Sequence, residues 1–144
     1  RNIQEVVTNM LYDLLKSGYG NEEDLNCAEK ILYGANKAYK LGLEKEALKL
    51  AVGFGGGMAI ESVCGALTAS IMVLGRLFVQ SNVHESARIK ELIKELFDSY
   101  KKEMGYIECA PLKEKYRKEN ILCRDVILKA AEILDTIVEK EPKL

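Results

Sequence analysis

The chain has 144 residues, 48% of them apolar, and its 21 basic and 22 acidic side chains nearly cancel to a net charge of −1. That length is one ordinary domain, long enough to bury a core without disulfides or metals, so a cysteine or metal feature here points to function rather than to stapling a small fold. The charge balance excludes the basic footprint of a nucleic-acid binder, and the apolar content excludes an acidic disordered chain.

Ile3, Val6, Val7, Met10, Leu11, Leu14 and Leu15 recur at three- and four-residue steps and predict a first helix that Gly18 stops. The same stretch, RNIQEVVTNMLYDLLKSG, has no continuous apolar leader core, so no signal peptide is read there and a cytoplasmic chain is expected. A second helix is predicted over about Leu25 to Leu41, with Ala28, Ile31, Leu32 and Ala35 on its apolar face and Gly42 at its end. A short third helix covers Glu44 to Val52. After a glycine-rich stretch, a central helix is predicted over about Ser62 to Val79. The most apolar run, Glu61 to Arg76, falls short of the roughly 20 residues a spanning helix needs, so a buried helix and no transmembrane segment are expected.

The clearest amphipathic pattern runs over residues 83–104, with Ile89, Leu92, Ile93, Leu96, Phe97, Tyr100 and Met104 as its buried stripe. Pro111 is placed to start a short helix through about Lys118. The last helix, about Ile121 to Glu139, turns Leu122, Val126, Ile127, Ala130, Leu134, Ile137 and Val138 inward. No strand-like alternation and no internal repeat occurs. The expected fold class is all-α, a single compact array of six or seven helices in one domain over residues 1–144.

The glycine stretch is Gly53, Gly55, Gly56 and Gly57. A P-loop is excluded because no Lys-Ser or Lys-Thr pair follows it. The dinucleotide fingerprint G-x-G-x-x-G also fails, since its last position falls on Met58 or on Ile60 and no strand precedes it. What remains is glycine used for left-handed backbone or for close approach of main chain to another group.

The four cysteines, Cys27, Cys64, Cys109 and Cys123, form no C-x-x-C pair. Asn26-Cys-Ala-Glu29 is a capping pattern that makes Cys27 the first residue of the second helix. Ser62 as a cap places Cys64 in the first turn of the central helix, and Asn120 does the same for Cys123 in the last one. Cys109 lies just before Pro111. All four therefore stand at or just before helix starts, where unpaired N–H groups and the helix dipole favour a thiolate. If they converge, they hold an iron–sulfur cluster or another thiolate-bound metal such as zinc. If they do not, they are small buried hydrophobes. Cys64, flanked by small residues, is expected to titrate below the ordinary thiol value of about 8.5.

The order and spacing of these elements resemble a family of small redox-active proteins named for a C…GCAxxG…C…C pattern. The matching pieces are Asn26-Cys27-Ala28-Glu29, Gly53-Phe54-Gly55-Gly56-Gly57-Met58, Cys64-Gly65-Ala66-Leu67-Thr68, Cys109 and Cys123, within about residues 20 to 138. One departure is Ala69, where the pattern ends in glycine; alanine is still small enough for close helix packing. A similar cysteine-bearing domain occurs in a split-Soret cytochrome, where it is taken as an iron–sulfur site. That haem chemistry does not carry over, because this chain has no C-x-x-C-H motif.

The resemblance implies a redox role centred on Cys27, Cys64, Cys109 and Cys123 as metal ligands. Gly55, Gly56, Gly57 and Gly65 are expected as backbone neighbours of the bound group. Two rival roles stay open, a thiol–disulfide redox protein or sensor without metal and a helical interaction module whose cysteines only pack. The expected partner is a separate redox protein, and a homodimer is a candidate assembly. The lone histidine, His84, reads as an exposed helix-start residue, and no Ser/His/Asp or Cys/His mechanism forms around it.

Overall fold

The computed structural model describes residues 10–80 and 87–142, and the helical periodicity becomes seven α-helices there, with no strand among the described residues. Ile3, Val6, Val7, His84 and the first positions of the helix expected over 83–104 lie outside them. In chain order the helices are α1 (Met10–Lys16), α2 (Cys27–Ala38), α3 (Lys45–Leu48), α4 (Gly65–Phe78), α5 (Arg88–Met104), α6 (Cys109–Tyr116) and α7 (Arg124–Lys140). A tighter helical turn, Lys49–Phe54, continues α3.

The core forms where the apolar stripes meet. Helix α4 is the hub: it packs on α2 most extensively and also on α5 and α7. Leu67, Val73 and Leu74 of α4 are fully buried, as are Leu92, Leu96 and Tyr100 of α5 and Leu134 of α7. Ile93 and Phe97, expected on the buried stripe of α5, are only half-buried at its edge. Helix α1 closes on α2 at Gly34, where a Cβ would stand 2.9 Å from Leu11 Cδ1 and 3.2 Å from Leu15 Cδ2.

One polar group sits deep in this packing. Asp135 of α7 is 1% exposed and accepts from the Leu11 N–H at 3.0 Å, the Tyr12 N–H at 2.8 Å and the Tyr39 hydroxyl at 2.5 Å. It thus gives two backbone N–H groups of α1 an acceptor from across the core. Burial pushes its carboxyl up to about 6, and the three donors hold it from rising further.

Several boundaries differ from expectation for local reasons. The central helix starts at Gly65 rather than near Ser62, because residues 62–64 are drawn into a bridge with residues 107–109. The last helix starts at Arg124, after a turn in which Lys118 and Leu122 exchange backbone hydrogen bonds. That turn puts Leu122 in left-handed backbone and leaves it 52% exposed, not inward as its spacing suggested.

Candidate functional site

The four cysteines all stand at helix starts. Cys27 is the first residue of α2, and Asn26 caps it in a full capping box: its side chain accepts from the Glu29 N–H at 2.9 Å while Glu29 Oε1 accepts from the Asn26 N–H at 3.0 Å. Cys109 is the first residue of α6, with Pro111 at the third position, where its missing N–H costs nothing. Cys64 and Cys123 are themselves the N-cap residues of α4 and α7, in place of Ser62 and Asn120.

Backbone geometry ties Cys64 to Cys109. The Cys64 N–H donates to the Ile107 carbonyl at 2.8 Å, and the Cys109 N–H donates to the Ser62 carbonyl at 2.6 Å. The reciprocal pair fixes two helix starts, 45 positions apart in sequence, side by side. The segment that leads into this bridge is unusual. Gly56, Gly57, Met58 and Ala59 all have left-handed backbone, with φ of 65°, 62°, 61° and 64°, and Glu61 follows with φ of 57°. Each non-glycine residue in that region costs on the order of 1–2 kcal/mol. The turn is held by the Ser62 N–H donating to the Gly57 carbonyl at 3.0 Å and by an ion pair from Glu61 to Lys113 of α6 at 3.0 Å.

Bare glycine backbone then presses against the cysteines. A Cβ on Gly57 would stand 2.7 Å from Cys109 Cβ and 2.6 Å from the Ser62 nitrogen. One on Gly65 would stand 2.7 Å from Cys27 Sγ and 2.5 Å from the Phe54 carbonyl oxygen. The space beside Gly55 is taken by the Asn26 side chain, which donates to the Val52 carbonyl at 3.0 Å, so Gly55 serves the cap of α2. Gly56 has open space beside it and lines the cleft.

That cleft has a volume of about 820 Å³, and Cys27, Cys109 and Cys123 all line it. Cys64 is buried behind them, and no disulfide joins any of the four. The thiols lie within electrostatic reach of one another: charge on Cys27 and on Cys109 bears on Cys64, and charge on Cys27 and Cys123 bears on Cys109. Arg117 places its Nη1 3.7 Å from Cys123 Sγ. Among the described residues no three His, Cys, Asp or Glu side chains are grouped so as to hold a metal ion.

The expected low titration of Cys64 is not found. Burial pushes its thiol up to about 12, the neighbouring Cys27 adds to that, and the N–H groups of Ala66 and Leu67 offset only part of it. Desolvation outweighs the helix start here because the central helix is the most enclosed in the fold. Burial likewise raises Cys109, against the opposing charge of Lys113. Tyr100, which the sequence marked only as core, belongs to this site as well: its hydroxyl donates to the Val126 carbonyl at 3.0 Å and is raised well above its usual value by burial and then by Cys64. No motif signals it, since a tyrosine on an apolar stripe reads as packing. Arg117 was missed for the same kind of reason, lying in a run of surface charges with no spacing to the cysteines.

A family model described as "Putative redox-active protein (C_GCAxxG_C_C)" matches residues 25–137. No curated protein and no solved structure matches the chain. No described helix is long and apolar enough to cross a membrane.

Proposed function

The chain belongs to the C_GCAxxG_C_C redox-active family, and on that premise we propose that Cys27, Cys64, Cys109 and Cys123 together ligate an iron–sulfur cluster for electron transfer with a separate partner protein. The observation that carries this reading is the placement of four unpaired cysteines at four helix starts, three of them lining one cleft and Cys64 buried within electrostatic reach of Cys27 and Cys109. The donor set fits the group: four sulfurs, free of disulfide, with glycine backbone bare against Cys27 and Cys109. A single tetrahedral ion such as zinc fits less well, because it needs its ligands grouped tightly about one point. A cluster spreads them over several metal atoms.

Bound there, a cluster supplies one-electron transfer at a potential set by its charge, the hydrogen bonds to sulfur and its solvent exposure. The chain's own contribution is legible. Helix starts bring unpaired N–H groups toward the sulfurs. Arg117 puts positive charge beside Cys123. Tyr100 and Leu67, both fully buried, belong to the core in which Cys64 is embedded. The left-handed turn over residues 56–59 brings Gly57 against Cys109.

A thiol–disulfide role has an observation of its own, the Arg117 guanidinium beside the half-buried Cys123. In that case two thiols form one disulfide and pass two electrons and two protons to an acceptor. Iron, zinc and acid-labile sulfide analysis of anaerobically purified protein separates the readings. The cluster reading expects iron with sulfide, lost in Cys27→Ser and Cys123→Ser. Zinc without sulfide, or no metal with thiols that cycle reversibly, rejects it; the latter result supports the thiol–disulfide role. No metal and inert thiols leave an interaction module.

A further inference from the structure

The cleft carries a charge bias that its cysteines do not explain. Its walls bring together Lys16, Lys30, Lys113, Arg117 and Arg124 against one carboxylate, Asp24, among the described residues. The chain as a whole has a net charge of −1, so this is local concentration, not composition. Lys113 is committed to Glu61. The other four cations make no ion pair with a carboxylate among the described residues. They come from four different segments: the end of α1, the first turn of α2, the residue after α6 and the start of α7. Lys16 lies over the Tyr12 ring and Lys30 donates to Asn21 at 2.8 Å, both neutral partners, so the cations keep their charge and focus a positive potential into a concave, partly apolar surface.

Shape points the same way. A volume of about 820 Å³ lies within the range of small-molecule sites, about 300–1,000 Å³, and exceeds what a few metal and sulfide atoms would fill. Leu15, Leu25, Ile121 and Leu128 supply apolar wall between the cations. Apolar lining with a few convergent charged groups is how organic ligands are held and oriented.

We propose that this cleft binds a small organic polyanion with an apolar body, held by Lys16, Lys30, Arg117 and Arg124 beside the cysteines. Arg117 links the two features, since its guanidinium lies 3.7 Å from Cys123 Sγ and an anionic group bound to it stands next to the sulfurs. Guanidinium groups pair with carboxylate, phosphate or sulfonate oxygens in fixed, often bidentate geometry. The site goes beyond the redox reading and does not depend on what the cysteines ligate.

Isothermal titration of the full-length, as-purified protein with naphthalene-1,5-disulfonate tests it, with the uncharged naphthalene-1,5-diol as control. Saturable one-to-one binding of the disulfonate is expected, weakening as sodium chloride is raised. The double variant Arg117→Ala/Arg124→Ala should weaken it by about tenfold or more. Arg117→Lys/Arg124→Lys should retain most of it, and circular dichroism checks that each variant is folded. Should the alanine pair misfold, Lys16→Ala and Lys30→Ala carry the same expectation of weaker binding. No saturable binding by the unaltered protein, equal binding of the diol, or affinity indifferent to these cations would each overturn the proposal. Iron and sulfide measured on the same sample decide the cluster reading separately, so either can fail alone.

Discussion

Two buried acids lie toward opposite ends of α2, Asp135 by Tyr39 and Cys64 by Cys27, and their surroundings differ in kind. Asp135 is enclosed by donors the chain supplies itself: two backbone N–H groups of α1 and the Tyr39 hydroxyl. Cys64 is enclosed by apolar core and by other thiols, with only the Ala66 and Leu67 N–H groups to favour its charge. Burial pushes both upward, the carboxyl to about 6 and the thiol to about 12. The first is a finished structural joint. The second region concentrates strained backbone, glycine contacts and thiols raised by burial, features that stabilise nothing by themselves and are found where a fold is shaped for chemistry.

The comparison breaks first at Asp135. Asp135→Ala leaves two N–H groups and a hydroxyl buried without acceptors, and should cost about 3 kcal/mol or more. Urea unfolding measures it, and a loss under about 1 kcal/mol would mean that water reaches these donors.

At the cysteine end the largest expected effect is steric. Gly65→Ala drives a methyl into the Phe54 carbonyl and Cys27 Sγ and should cost about 1–3 kcal/mol, while Gly53→Ala, with nothing near its Cβ, should be close to neutral. Equal effects of the two would show that glycine spacing around the cysteines carries no packing role.

The pH response sharpens the contrast. Because the folded Asp135 carboxyl is raised above its unfolded value, its protonated form favours the folded state. Stability from this group is fully present below about pH 4 and is lost as pH rises to about 6, by at most about 3 kcal/mol. Denaturant midpoints across that window should fall with rising pH in the native protein, and Asp135→Asn should flatten the slope. A rise with pH that depends on Asp135 would contradict its assignment.

The smallest effect tests strain by its sign. Ala59 sits at φ 64°. Ala59→Gly should therefore stabilise by up to about 1 kcal/mol, since relief of left-handed strain exceeds the entropy that glycine adds to the unfolded chain. Destabilisation, the usual outcome of that exchange, would show that the turn over residues 56–59 is not strained.

Local signals made much of this legible in the sequence. Asn26 and Glu29 announce the start of α2, and the apolar stripes of α4, α5 and α7 announce the core, because caps and periodicity are encoded within a few residues. The placement of Cys27 at a helix start followed from the same cues, whereas Cys64 and Cys123 are themselves N-caps rather than residues behind Ser62 and Asn120. Contacts between distant segments were not legible. Nothing near residue 64 announces the bridge to residues 107–109, and that bridge moves the start of the central helix. Leu122 satisfies an inward spacing but is turned out by a five-residue turn. Local sequence shows the helix start at Cys64 and hides how completely the rest of the chain covers it, so its thiol is raised rather than lowered. The cations of the cleft are separated by more than a hundred positions between Lys16 and Arg124, and only the fold assembles them.

The central claim is that the four cysteines form one site. Mild oxidation of reduced, metal-free protein, followed by peptide mass spectrometry, tests it most directly, since disulfides form only between cysteines whose Cα atoms come within about 7 Å. The account predicts that each of Cys27, Cys64, Cys109 and Cys123 is found in an intramolecular disulfide. Four free thiols persisting after oxidant would contradict it.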